Sequence, residues 1–440
     1  MIGKSTVGGG QFDQTGLGSF ASDGFIYKNE VIELCGVLKN EGVVAWANWP
    51  TQLHVRLYSL PVALLNGGTR FDILTIEPLN LIYYLAILIL VCKLGEVVFN
   101  YRTGLIAAVG VAIWPSLLLH TTQLLRDPLL ITAFLILILS LALLLERDYN
   151  SRSAEQQPGS EQDPKAKQTW SRGLFIGLAG AAAIVVIRIV RLPMWPMLWA
   201  VIILALLFLI ARFVRQRRLP IGNIVMAIIM IATVLITPRF QNAFYNQQIV
   251  KKPRLILPEE VQQLPLKEQI AIRRNGFGVQ LDPSGAIVPS DAGSDIDREV
   301  QFNNKADIFR HIPRAVAVGF FAPFPNMWLG AGKQVGGGGR RLSGFETLLS
   351  YVIECLALLG LWRARKDLSA WFLFLVITLG AVALGMVVAN VGALYRLRYP
   401  FWVLLIVFGA SGADYLIRCR TRPAVAGQDL AAEPAGTFHN

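Results

Sequence analysis

Apolar residues in this chain gather in runs close to 20 residues long, separated by short polar joints. A helix rising 1.5 Å per residue needs about 20 apolar residues to cross a hydrocarbon core of about 30 Å. On that measure the pattern predicts about nine membrane-spanning helices. They cover Leu79 to Phe99, Gly104 to His120, Leu129 to Leu145, Gly173 to Val190, Met194 to Phe213, Ile221 to Thr237, Thr347 to Trp362, Ala370 to Val391 and Phe401 to Ile417. The second and seventh runs are short. The expected fold class is all-α, a polytopic transmembrane helix bundle whose extracytoplasmic loops carry amphipathic helices.

Composition agrees with the pattern. The chain is 54% hydrophobic and 16% charged, with a mean hydropathy of +0.50. That is more apolar than a soluble domain needs for its core. Lys and Arg outnumber Asp and Glu by 41 to 29, and in a membrane chain such an excess marks cytoplasmic loops rather than a nucleic-acid face. The basic clusters are Tyr101-Arg102, Arg147 to Arg172, Arg215-Gln216-Arg217-Arg218, Arg363-Ala364-Arg365-Lys366 and the tail from Arg418. They follow alternate spans, so all fall on one side, the cytoplasm. A multi-pass protein of the cell inner membrane is expected, its active site facing the periplasm or exterior.

Alternation then divides the chain. Residues 1–78 form a first extracytoplasmic loop with amphipathic helices, and 79–237 hold spans one to six with a flexible cytoplasmic linker at 148–172. Residues 238–346 form a large outward loop, 347–417 the last three spans and 418–440 a cytoplasmic tail. Three short turns also face outward: Thr121 to Pro128, Arg191 to Pro193 and Gly392 to Pro400. An outward amino terminus needs an insertion signal, and the opening residues contain no apolar signal-peptide core. We therefore expect a further apolar segment of about 20 residues encoded upstream of Met1. Within the large loop, Glu259 to Arg274 is amphipathic, Asn275-Gly276, Asp282-Pro283 and Ala292-Gly293-Ser294 are turn-rich, and Phe320 to Pro325 mixes aromatics with proline. The glycine run Gly336 to Gly339 beside Arg340-Arg341 is expected to be a mobile strip.

Cys35, Cys92, Cys355 and Cys419 are scattered and lack CxxC or Cys/His spacing, so neither a disulfide framework nor a zinc site is indicated. His54, His120, His311 and His439 show no mutual spacing. A phosphate-binding Walker loop, a GxSxG elbow and an HExxH pair are all missing. The candidate chemistry lies in acids and arginines on the outward face. Asp23 and Asp127 could each serve as a base toward an acceptor hydroxyl. Each could equally be an acid that starts a helix, Asp23 capping Gly24 to Lys39 and Asp127 preceding Pro128.

Arg126, Arg188, Arg191, Arg239, Arg273, Arg274, Arg396 and Arg398 lie on that same face, against the usual loop bias. The guanidinium fork suits phosphate oxygens, so such a set could hold a lipid phosphate, although a single arginine often only snorkels to headgroups. Tyr395-Arg396-Leu397-Arg398-Tyr399-Pro400 gives the strongest pair, because two cations two apart point the same way if the turn is extended. Within the spans, Lys93 and Glu96 can pair three apart, and Asp414 and Arg188 are the other ionisable residues.

An outward loop with an early Asp, followed by Tyr101 to Ala108, then Trp114-Pro115-Ser116 and Leu125-Arg126-Asp127-Pro128-Leu129-Leu130, resembles the front half of C-type membrane glycosyltransferases. The branch it is most similar to is lipid-carrier dependent, akin to protein O-mannosyltransferases and aminoarabinose transferases (glycosyltransferase family 39). The resemblance carries motif support over residues 20–150 and rests on architecture elsewhere. It implies an inverting enzyme that uses a polyprenyl-phosphate sugar, with the family's catalytic Asp at Asp23 and its second acid at Asp127. The sequence departs from the family in lacking the usual first helix, in having Gly24 where many members show a second acid or an aromatic, and in placing the long loop before only three spans.

The combined expectation is a glycosyltransferase acting on the extracytoplasmic side in cell-surface glycan assembly. Asp23 and Asp127 are its catalytic candidates, and Arg126, Arg188, Tyr395, Arg396 and Arg398 are candidates for binding lipid phosphate or sugar. Its partners would be a polyprenyl-phosphate-linked sugar, a glycan, lipid or protein acceptor and the bilayer, with no nucleic acid. A divalent metal is compatible with the residues, and no nucleotide or redox cofactor is expected. The rival readings are an O-antigen polymerase or ligase, a transporter for a lipid-linked glycan, and a catalytically silent assembly partner.

Overall fold

The computed structural model describes residues 12–21, 23–67, 71–145, 165–216, 221–249, 264–276, 279–281, 287–289, 295–329 and 336–421. Among the described residues three α-helices precede the first span: α1 (Asp23–Asn40), α2 (Gly42–Asn48) and α3 (Leu53–Asn66). The spans begin with α4 (Glu77–Val98) and a broken pair, α5 (Tyr101–Ala112) and α6 (Pro115–Thr121), and continue through α7 (Asp127–Leu145), α8 (Lys165–Val190), α9 (Trp195–Gln216) and α10 (Ile221–Ile249). The long segment between α10 and the next span contributes α11 (Leu266–Gly276), a hairpin of β1 (Val279–Leu281) and β2 (Ile287–Pro289), and α12 (Lys305–Phe321). Last come α13 (Gly336–Arg363), α14 (Leu368–Val387), the short α15 (Val391–Leu397) and α16 (Tyr399–Thr421).

Among the described residues eight helices are long and apolar enough to cross a membrane, or nine if the broken pair counts as one span. The chain is a multi-pass membrane protein with the expected all-α bundle, to which the short hairpin is a minor addition. The second run, expected as one helix from Gly104 to His120, bends by 68° between α5 and α6. Pro115 lacks an N–H and disfavours helical backbone at Trp114, so the helix stops and restarts there. The Glu346 carboxylate accepts from the Ser116 N–H at 2.6 Å, satisfying a backbone donor that the restart exposes.

The seventh span starts earlier than expected. Gly336 to Arg341 is the first turn and a half of α13 rather than a mobile strip, and Arg340 donates to the Met327 carbonyl at 3.1 Å. The glycine run extends a helix whose stability comes from the packed residues that follow, which outweighs its poor intrinsic propensity. The amphipathic segment expected from Glu259 is helical from Leu266 and ends at Asn275-Gly276. The Asp282-Pro283 and Ala292 to Ser294 turns, and the greater part of the linker, lie outside the described residues.

α7 and α16 form the centre of the bundle, each with 78% of its span buried, against 28–50% for the others. α7 packs on α4, α8, α9 and α14, while α16 packs on α5, α13 and α14. Close helix approach depends on small residues. A methyl group at Gly360 would strike the Phe408 carbonyl, and one at Gly412 the Leu356 carbonyl, so α13 and α16 touch backbone to backbone. α12 opens with a reciprocal cap between Asn304 and Asp307 and packs along the last third of α14.

Successive spans alternate in direction, which sorts the polar residues to two ends. At one end Asn100 lies 3.4 Å from Asp414, which pairs with Arg418 at 2.8 Å. Lys93 and Glu96 pair as expected, at 2.8 Å. The opposite end collects the start of α7, the α8–α9 joint and α15.

Candidate functional site

Asp23 and Asp127 are the first residues of α1 and α7. An acid there suits the helix dipole, and taken alone each would be a helix-starting residue. The joint between α6 and α7 makes them neighbours. The Gln123 side chain accepts from the Gly18 N–H at 2.8 Å, and the buried Tyr58 hydroxyl donates to the Asn80 side chain at 2.8 Å while lying 3.2 Å from the Leu125 carbonyl. At Gly24 an added methyl would lie 3.5 Å from the Leu124 carbonyl oxygen. The first turn of α1 is thereby seated on the segment that launches α7.

Arg396 closes the arrangement from α15. Its Nη2 lies 2.5 Å from Oδ2 of Asp23 and its Nε 3.2 Å from Oδ2 of Asp127. Arg191, in the α8–α9 joint, places Nη1 3.3 Å from Oδ1 of Asp127. Arg126 adds a third guanidinium within electrostatic reach of Asp23 and Arg191. Three guanidiniums face two carboxylates, an excess of one positive charge that suits an anionic ligand. The Asp127 side chain is 6% exposed and that of Asp23 35%, so Asp23 is the carboxylate open to an incoming group.

Burial acts to raise the Asp23 carboxyl, but the charge and hydrogen bond of Arg396, helped by Arg126 and Arg191, outweigh it and hold the group below the usual carboxylate range. Burial pushes the Arg191 guanidinium down to about 9, with Arg126 adding to the effect and Asp127 opposing it. Burial acts downward on Arg396 too, but Asp127 and Asp23 more than offset it and its proton is held more tightly than usual. At neutral pH Asp23 is therefore ionised, and Arg191 and Arg396 are charged.

The structure thus brings Asp23, Asp127, Arg126 and Arg396 together and leaves Arg398, Tyr395 and Arg188 out. The turn around Arg396 is helical rather than extended, and positions two apart on a helix point about 200° apart around its axis. Arg398 is consequently buried, donates to the Ala322 carbonyl at 2.6 Å, and lies over the Tyr395 and Trp402 rings at 4.5 and 5.4 Å. Tyr395 donates its hydroxyl to Glu346, and Arg188 is buried 4.1 Å above the Trp195 ring. The other arginines expected to face outward also lie elsewhere: Arg274 donates to the Met386 carbonyl at 3.0 Å, Arg273 to the Pro193 carbonyl at 3.4 Å, and Arg239 is exposed.

Sequence reasoning missed several residues around the cluster. Tyr27 lies one turn after Asp23 on α1 and is buried, with Asp23, Asp127, Arg126 and Arg396 all acting on its hydroxyl. Its i,i+4 spacing on the expected helix was a usable signal. His54, on α3, packs edge-to-face on Tyr27 with ring centroids 4.4 Å apart. His120 Nδ1 lies 2.6 Å from the Ser116 carbonyl, to which it must donate, and 3.1 Å from the Tyr399 hydroxyl. Glu346, fully buried, ties α13 to α6 and α15 at once. No spacing in the chain announces these long-range partners. Among the described residues no group of three or more His, Cys, Asp or Glu side chains converges to hold a metal ion. No protein-family model, curated protein or solved structure matches this chain.

Proposed function

We propose that this protein is an inner-membrane glycosyltransferase that moves a sugar from a polyprenyl-phosphate carrier to an acceptor hydroxyl on the extracytoplasmic side, in the assembly of a cell-surface glycan. The observation that carries the reading is the contact of Arg396 with both Asp23 and Asp127, residues from separate helices meeting at one end of the bundle. The orientation follows from the basic clusters at the opposite end, which the positive-inside rule assigns to the cytoplasm.

In this reading the carrier phosphate enters the field of Arg126, Arg191 and Arg396. It competes with Asp23 for Arg396, so donor binding frees the carboxylate that the acceptor needs. Asp23 takes the proton of the acceptor hydroxyl as its oxygen bonds to the anomeric carbon from the face opposite the phosphate. The bond from that carbon to the phosphate oxygen breaks, and the lipid phosphate leaves with its added negative charge among the arginines. Asp127, fixed by Arg191 and Arg396, orients the acceptor and keeps Arg396 in place.

The test is transfer by the purified chain in lipid nanodiscs, supplied with radiolabelled polyprenyl-phosphate sugars and membrane glycan acceptors. Release of polyprenyl phosphate by the wild type and its loss in Asp23→Asn are expected. Undiminished turnover in an Asp23→Asn, Asp127→Asn double variant would remove the reading and favour a polymerase or ligase mechanism built on arginine and histidine.

A further inference from the structure

His54 is 1% exposed, and among the described residues neither ring nitrogen has a hydrogen-bond partner. In either neutral tautomer an imidazole offers one N–H and one lone pair, and leaving both unmet in the interior is costly. A phenylalanine would fill the same space and keep the edge-to-face contact with Tyr27. The polar ring is therefore poorly explained by packing. Its charged surroundings are the site itself: Arg126 and Asp23 act on it, and Tyr27 ties it to the first turn of α1.

We propose that His54 is a ligand-contacting residue of the cluster, donating its ring N–H to a phosphate oxygen of the molecule held by Arg126, Arg191 and Arg396. This rests on the reading of the cluster as a lipid-phosphate site and adds a neutral donor to its cations. A donor that carries no charge grips a phosphate without adding to the repulsion among three guanidiniums. Burial, followed by Arg126 and opposed by Asp23, pushes the imidazole down to about 3. The ring thus stays neutral across the physiological range.

The experiment uses the full chain in detergent, with dodecyl phosphate and inorganic phosphate as probes and calorimetry as the readout, alongside thermal unfolding. The wild type is expected to bind dodecyl phosphate. His54→Phe should weaken that binding by about tenfold or more, the size of one hydrogen bond to a charged group, while its Tm stays equal or rises because an unmet polar ring has gone. His54→Gln, which keeps a donor, should bind within about threefold of wild type. His54→Leu provides a second apolar variant should His54→Phe fail to fold. Loss confined to dodecyl phosphate assigns the contact to a lipid headgroup, and equal loss with inorganic phosphate to a free phosphate; both uphold the role of His54. Wild-type affinity in the folded apolar variants overturns it. Failure of the wild type to bind either probe overturns the phosphate reading of the whole cluster, a result distinct from failure at His54 alone.

Discussion

Arg396 donates to Asp23 across 373 positions of sequence, at 2.5 Å, and its guanidinium also reaches Asp127 at 3.2 Å. One cation serving two acids is a contact that a phosphate can enter by exchange. Arg396→Ala should abolish lipid-phosphate binding and cost about 1 to 3 kcal/mol of stability, because Asp127 is left buried with one partner fewer. Arg396→Lys keeps the charge and loses the fork, so it should recover stability more fully than binding. Titration with dodecyl phosphate and thermal unfolding of the two variants check this.

Asp23→Asn, which removes the competitor for Arg396, should bind donor as tightly as wild type or more tightly and reduce turnover by about 100-fold or more, as expected on losing a general base. A single-turnover assay with a saturating donor separates the two effects. If the variant instead lost donor affinity and kept turnover, Asp23 would be an acid that only positions Arg396.

Asp23 also makes stability depend on pH. Its folded carboxyl lies below the unfolded value of about 4, so its contribution is fully present above that value and is lost as pH falls through the folded one. The Tm difference between wild type and Asp23→Asn should be constant from about pH 5 upward and shrink below about pH 4. A difference that instead widened in acid would show that Arg396 does not hold the carboxylate.

Arg398→Ala should behave unlike Arg396→Ala. Its buried guanidinium anchors the Ala322 carbonyl at the end of α12, so the cost is about 1 to 3 kcal/mol of stability, with phosphate affinity in the folded protein unchanged. Equal loss of binding in both variants would return Arg398 to the site.

Sidedness has a direct readout. Asn303→Cys, beside α12, should react with a membrane-impermeant maleimide in intact cells. Arg215→Cys, at the far end of α9, should react only after permeabilisation. The cysteines at positions 35, 92, 355 and 419 are replaced by serine beforehand, since all four are free. The reverse pattern would invert the topology.

Much of the architecture was legible in the sequence, because a span is a local property: a run of apolar residues long enough to bridge the hydrocarbon core must satisfy its own backbone as a helix wherever it lies. The starts of α4 and α7 fell within two residues of the expected positions. The alternation of basic joints likewise placed Asp23, Asp127 and Arg396 on one expected face. What the sequence could not decide was which side chains on that face touch. Asp23 and Asp127 meet because Gln123, Tyr58 and Gly24 seat one helix start on another. Arg398 leaves the site because helical rather than extended backbone at α15 turns it toward Ala322. The helical glycine run at Gly336 and the burial of His54 were settled by packing, whereas the bend at Pro115 has a local cause, a proline without an N–H that disfavours helical backbone at the residue before it. Local pattern encodes which segments are helices and which ends they share; contacts between those ends depend on close packing among residues with no fixed spacing, and only the tertiary structure supplies them.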